Sequence, residues 1–172
     1  MRKLILVFML LLCVPRINAQ IEIAKLIGKR WNDYKLGYGA FLKFSYPVST
    51  ASDLSIEASL VFFSVKENDG DGLAVVPFKL GYRYTLNGTG SGIYIEPQLG
   101  YNFFGANSFD GEHPYKGAVI ALGTGYLFKP GGRVQFDLGL RYETVVIKDG
   151  SANYIALRLS HNFSFKKREE DN

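Results

Sequence analysis

Few residues of this chain could do chemistry, and most of them stand alone. His161 and Ser164, with an acid, are the parts of a hydrolytic centre. An offset of three on an extended chain puts them on opposite faces, and Ser160-His161-Asn162-Phe163-Ser164 has no His-x-Ser spacing. Asn68, Asp69 and Asp71 offer oxygens to a calcium ion, without the alternating ligand run and distant Glu that close such a loop. Asp110, Glu112 and His113 are metal-capable, but one His with two acids is a thin zinc signature. Gly37-Tyr38-Gly39 and Gly123-Thr124-Gly125 precede no helix that could receive a phosphate. No catalytic residue, no metal ligand and no cofactor is expected. The remaining candidate set is Lys43, Glu57, Lys79, Arg83, Glu96, Asp137, Arg141, Glu143 and Arg158, charges that recur on one side of an alternating pattern.

The elements that must position these charges have a period of two. Val134, Phe136, Leu138, Leu140 and Tyr142 alternate with Arg133, Gln135, Asp137, Gly139, Arg141 and Glu143, so one face of the strand is apolar and the other ionic. The same split runs through residues 37–46, 54–65, 78–85, 93–104, 118–128 and 154–165. Residues 20–31 supply a weaker eighth strand, interrupted by Lys25 and supported by the even count that a barrel with both termini on one side requires. Trp31 is expected as an interface anchor. Turn signals of two kinds alternate between the strands, placing short turns at one end and longer loops at the other. Pro77 and Pro97 interrupt this reading, and each predicts a bulge or a shortened ladder.

Composition sets the compartment. The chain has 172 residues, 47% hydrophobic and 15% aromatic, with one Cys and a formal net charge of +4. Residues 1–19 read as a secretory leader: basic Arg2 and Lys3, an apolar stretch, then Ile17-Asn18-Ala19 before Gln20. Its removal takes Arg2, Lys3 and Arg16 and no acid, so 20 Lys+Arg become 17 against 16 Asp+Glu. A near-neutral mature chain gives no case for nucleic-acid binding. Cys13 also leaves with the leader, which excludes a disulfide framework. Residues 20–165 are expected to form one barrel, with 166–172 a charged periplasmic tail.

Alternation alone fits a soluble barrel with apolar residues inside or a membrane barrel with them outside. The order within the apolar row decides. Phe44, Tyr46, Tyr82, Tyr84, Tyr126, Phe128, Phe136, Phe163 and Phe165 gather at the short-turn end, and Tyr38, Phe62, Tyr101, Phe103 and Tyr142 at the other. The middle is aliphatic, with Leu42, Leu60, Leu80, Leu99, Leu122, Leu138 and Leu157. Two aromatic bands around an aliphatic zone match a bilayer's interfaces and hydrocarbon. The opposite row, rich in glycine and carrying the nine charges, then fills an interior with room for little else. Its five bases and four acids can neutralise one another, which predicts a plug rather than a pore.

Tyr82-Arg83-Tyr84, the glycine turn after it, and Gly92-Ile93-Tyr94-Ile95-Glu96-Pro97-Gln98-Leu99-Gly100-Tyr101 resemble the small outer-membrane β-barrel proteins widespread in Bacteroidota. The leader ending Ala19-Gln20 is similar to theirs, and residues 158–165 resemble the last-strand signal read by the barrel-insertion machinery. The resemblance implies a bacterial outer-membrane location. The expected fold is thus an all-β, eight-stranded antiparallel up-and-down transmembrane β-barrel. Its expected partners are outer-membrane lipid, the insertion machinery during biogenesis, and an external loop partner that the sequence does not identify. A secreted or periplasmic lipocalin-like carrier with the apolar row inward is the alternative, and a lipid-modifying outer-membrane enzyme a third. Gly28-Lys29-Arg30-Trp31 departs from the lipocalin Gly-x-Trp start by one residue.

Overall fold

A computed structural model describes residues 16–66, 72–106, 116–128, 134–147 and 150–164. Eight strands follow in chain order: β1 Arg16–Ile27, β2 Tyr34–Pro47, β3 Ser52–Val65, β4 Leu73–Thr85, β5 Gly92–Ala106, β6 Gly117–Phe128, β7 Val134–Ile147 and β8 Gly150–Ser164. Each pairs antiparallel with its neighbours, and β8 pairs with β1, closing the barrel. Closure satisfies every strand edge internally, which is what a sheet crossing hydrocarbon requires. A walk along the ladder from Arg16 passes Ser45, Ser55, Gly81, Gln98, Ala121, Glu143 and Tyr154 and returns to β1 at Leu26, ten residues further on. That stagger tilts the strands and brings side chains far apart in sequence to one level inside.

The alternation resolves into two surfaces. Leu122 is 59% and Leu140 51% exposed on the outside, while their neighbours Ala121 and Arg141 are 3% and 1% exposed. The apolar row therefore points outwards, opposite to the lipocalin-like arrangement.

Three local features differ from the sequence expectation or refine it. The first strand begins at Arg16, four residues into the expected leader, and pairs there with Ser45 and Ser164. It ends at Ile27, because Gly28 turns the chain at φ 113 into a 3-10 helix, Lys29–Trp31. Only glycine adopts that backbone freely. Trp31 is consequently tucked inside at 3% exposure, 5.6 Å from the Tyr34 ring, and is not an interface anchor. Period-two reasoning could not place a residue that sits on a helical turn.

The prolines behave differently from each other. At Pro77 the β4–β5 register shifts by one residue, and the Asn102 side chain accepts the Val76 N–H at 2.8 Å in place of a ladder carbonyl. At Pro97 there is no shift; the β4–β5 pairing lapses at Tyr82 and Arg83, while β5–β6 stays in register. Neither reverses the facing of the charged row: Lys79 and Glu96 both remain inside.

At the short-turn end, β4 joins β5 through residues 86–91, closed by Leu86 N–H donating to the Ile93 carbonyl at 2.9 Å. Gly88 and Gly90 there take φ 72 and 65, a conformation that costs a side-chain-bearing residue free energy.

Candidate functional site: a charged interior beneath an apolar tier

All nine sequence-predicted charges face the inside and are buried, between 0% and 6% exposed. Glu57 on β3 is the centre. Its carboxylate accepts from Arg141 Nη1 at 2.5 Å and from Arg158 Nη2 at 2.7 Å, and pairs with Lys79 Nζ at 3.0 Å. Glu96 on β5 gathers Lys43, Arg83 Nε at 3.0 Å and the Ser55 hydroxyl at 3.0 Å. Asp137 accepts from Arg83 Nη2 at 2.6 Å and from the Tyr94 hydroxyl at 2.7 Å. Glu143 takes Lys79 Nζ at 2.6 Å and the Tyr154 hydroxyl. Two guanidinium groups also cover aromatic faces, Arg158 over Phe41 at 3.6 Å and Arg83 over Tyr94 at 4.0 Å.

Glu22 belongs to this set although the sequence reading passed over it. It is 2% exposed and accepts from Arg141 Nη2 at 2.8 Å across 119 residues of sequence. Its addition gives five acids against five bases among the described buried residues. The signal was present in its position between Ile21 and Ile23, but β1 is the strand whose pattern Lys25 disturbs. Gln98, Tyr94 and Tyr154 were missed for another reason, because nothing in a neutral residue's type marks it as an ion's partner.

Room for these side chains comes from glycine. A Cβ on Gly139 or Gly125 would lie 2.5 or 2.7 Å from the Tyr94 hydroxyl, and one on Gly39 2.7 Å from Glu22 Cγ. The strand β6 contributes no charge and presents Ala121, Gly123 and Gly125 as a smooth wall.

Above the charges, towards the longer-loop end, the interior changes character. Leu26, Val61, Phe63, Leu73, Val75, Val119, Val145 and Ala152 are all under 5% exposed and pack with Trp31 as one apolar cluster. Phe63 fits because its partner in the ladder is Gly37, where a Cβ would lie 2.4 Å from the ring. Tyr154 joins the two tiers: its ring meets Phe63 edge-on at 5.7 Å while its hydroxyl reaches Glu143. The expected plug therefore has a second layer that the charge pattern did not announce.

Of the expected interface aromatics, Tyr46, Tyr82, Tyr84, Tyr126, Phe128 and Phe136 are exposed on the outer surface at the short-turn end, and Phe44 is half-buried there. Phe163 lies in β8 without a described side chain, and Phe165 lies outside the described residues. At the other end Tyr38, Phe62, Tyr101, Phe103 and Tyr142 are exposed on the same outer surface. His161 is half-buried, its ring 5.0 Å from Phe136, within the belt. The loop groups Asn68, Asp69, Asp71, Asp110, Glu112 and His113 lie outside the described residues, as does the tail 166–172. Among the described residues no group of three His, Cys, Asp or Glu could hold a metal ion. The charges of the network meet one another in ion pairs across the barrel.

These features define a small, closed, side-chain-filled barrel of the kind that crosses outer membranes. The chain is similar in structure to the Neisserial surface protein A at a TM-score of 0.68 and 15% identity, covering 87% of this chain and 96% of that one. Ail, the attachment invasion locus protein of Yersinia pestis, aligns at 0.57 and 18%, covering 86% and 97%. OprG, an outer-membrane protein of Pseudomonas aeruginosa, aligns at 0.54 and 13%, covering 88% and 95%. The chain thus has the fold of the small eight-stranded outer-membrane barrels. No protein-family model and no curated protein matches it in sequence.

Proposed function

We propose that this chain is a non-enzymatic integral protein of the bacterial outer membrane, of the Bacteroidota type, that spans the bilayer with a plugged barrel and presents its longer loops outside. The observation that carries the reading is the layered outer wall. Aliphatic residues such as Leu80, Leu122 and Leu138 are exposed in a zone bounded at both ends by exposed aromatics, while ten charges are held inside. In water that arrangement would expose a large apolar surface and bury ions at a high desolvation cost. In a bilayer the wall is solvated by acyl chains, and the tyrosines reach the interface.

Residues 1–19 are removed on export, which shortens β1 to its paired stretch from Gln20 to Ile27; the tail 166–172 stays in the periplasm, and the barrel-insertion machinery reads the last strand. The two interior tiers make the barrel a non-conducting plug, as expected where an eight-stranded barrel has room only for its own side chains.

Fractionation followed by electrophoresis with and without boiling tests the assignment. The folded chain is expected to sediment with the outer membrane and to change mobility on heating; solubility without detergent would refute it. A second test substitutes Leu138→Arg, expected to cost about 2 to 4 kcal/mol of stability in lipid if that site lies near the midplane.

A further inference from the structure

Among the residues whose side chains are described, the exposed cations are Lys25, Lys29, Arg30, Lys35, Lys66 and Lys116, and these six lie at the longer-loop end. Five of the six lie on one sector, formed by β1, the 3-10 turn, β2 and the end of β3, where Asp33 is the exposed acid among the described residues. The backbone makes this a single corner, since Lys66 N–H donates to the Asp33 carbonyl at 2.8 Å and so ties the end of β3 to the start of β2.

Lys25 shows which medium the corner faces. It stands in the outward row of β1 between Ile23 and Ile27, both exposed, on the wall that elsewhere is apolar. Ile23 is paired with Tyr38 of the upper aromatic band, so Lys25 lies two residues beyond that band towards the loops. Its Nζ donates to the Tyr34 carbonyl at 2.8 Å. The side chain therefore climbs along the wall towards the barrel rim, as a lysine does when its stem lies in hydrocarbon and its head seeks the polar layer. An ammonium there, with Lys29, Arg30, Lys35 and Lys66 above it, meets lipid headgroups before it meets a soluble molecule.

Resting on the membrane reading above, we infer that this rim binds the phosphate groups of phosphorylated glycolipid in the leaflet on the loop side. Phosphate supplies several charged acceptor oxygens to a cluster of ammonium groups, and headgroups in the leaflet plane can reach Lys25 on the outer wall. Ail has been solved with the heparin analogue sucrose octasulfate bound. A soluble polyanion of that sort is the competing occupant, and it would approach the rim from the aqueous side rather than along the wall that carries Ile23, Lys25 and Ile27.

The test inserts the full-length protein into phosphatidylcholine vesicles carrying diphosphorylated lipid A or the same glycolipid stripped of phosphate, each with a dansyl-labelled trace. Energy transfer from Trp31, the sole tryptophan, reads glycolipid enrichment around the barrel. The wild type is expected to reach half-maximal transfer at about tenfold lower mole fraction of the phosphorylated form. Raising the salt concentration should weaken that preference. The variant Lys25→Gln/Lys35→Gln/Lys66→Gln should lose it while keeping its heat-dependent mobility. Equal transfer to both glycolipids, or an unchanged variant, overturns the inference. So does tight binding of sucrose octasulfate accompanied by no glycolipid preference, which would make the rim a soluble-polyanion site. Protein that never enters the vesicles brings down the membrane reading as well; protein that inserts and shows no preference brings down the rim alone.

Discussion

The two tiers inside the barrel are equally buried and are held by different physics. Glu57 and Val61 stand four residues apart on the same face of β3, and both are 0% exposed. Around Glu57 the strands are tied by directional ion pairs, each of which leaves a costly orphan if its partner is removed. Around Val61 they are tied by contact alone, and the loss of a side chain costs its transfer energy and a cavity. The charged tier fixes which strands meet at which height, because Arg141 must find Glu22, Glu57 and Glu143 together. The apolar tier has no such addressing and closes the loop end against water.

The comparison is most severely broken at Glu57. Glu57→Ala leaves Arg141, Arg158 and Lys79 short of a shared counter-ion and is expected to cost about 3 to 5 kcal/mol, read as a shifted urea midpoint in vesicles. A loss below about 1 kcal/mol would mean the ions are hydrated rather than mutually paired. Phe63→Ala, in the other tier, is expected to cost about 3 kcal/mol through a cavity beside Tyr154. Combined with Glu57→Ala it should add nearly independently, since the tiers share no direct ion pair. Tyr154→Phe is the smallest change, keeping the ring in the apolar cluster while removing the donor to Glu143. A loss of about 1.5 to 3 kcal/mol is expected, and coupling to Glu143→Gln in a double-mutant cycle would identify Tyr154 as the joint between the tiers.

The sequence reading and the structure part company where alternation fails. The charged row was legible because Asp137 and Arg141 each sit between apolar neighbours, and a period of two then fixes their face and that of Glu143. The apolar tier was not, because near the loop end both faces are apolar: Leu60-Val61-Phe62-Phe63 and Val145-Val146 carry no alternation to read. Parity counted onward from Glu57 assigns Val61 and Phe63 to the interior, yet it cannot show that the tier is continuous, which depends on the stagger of all eight strands. Parity counted from Lys43 assigns Phe41 to the inner row, but nothing in the pattern announces it as a platform for Arg158, which comes from the opposite end of the chain. Trp31 escaped for a local reason, a 3-10 turn that a period of two does not describe.

The direction of the oily wall is tested most directly by spin labels on single cysteines introduced at Leu122 and Leu140, in a Cys13→Ser background with the protein in lipid vesicles. The account predicts broadening by oxygen and protection from a water-soluble nickel chelate at both sites. Broadening by the chelate at either one, with oxygen no more effective than at a loop position, would contradict it.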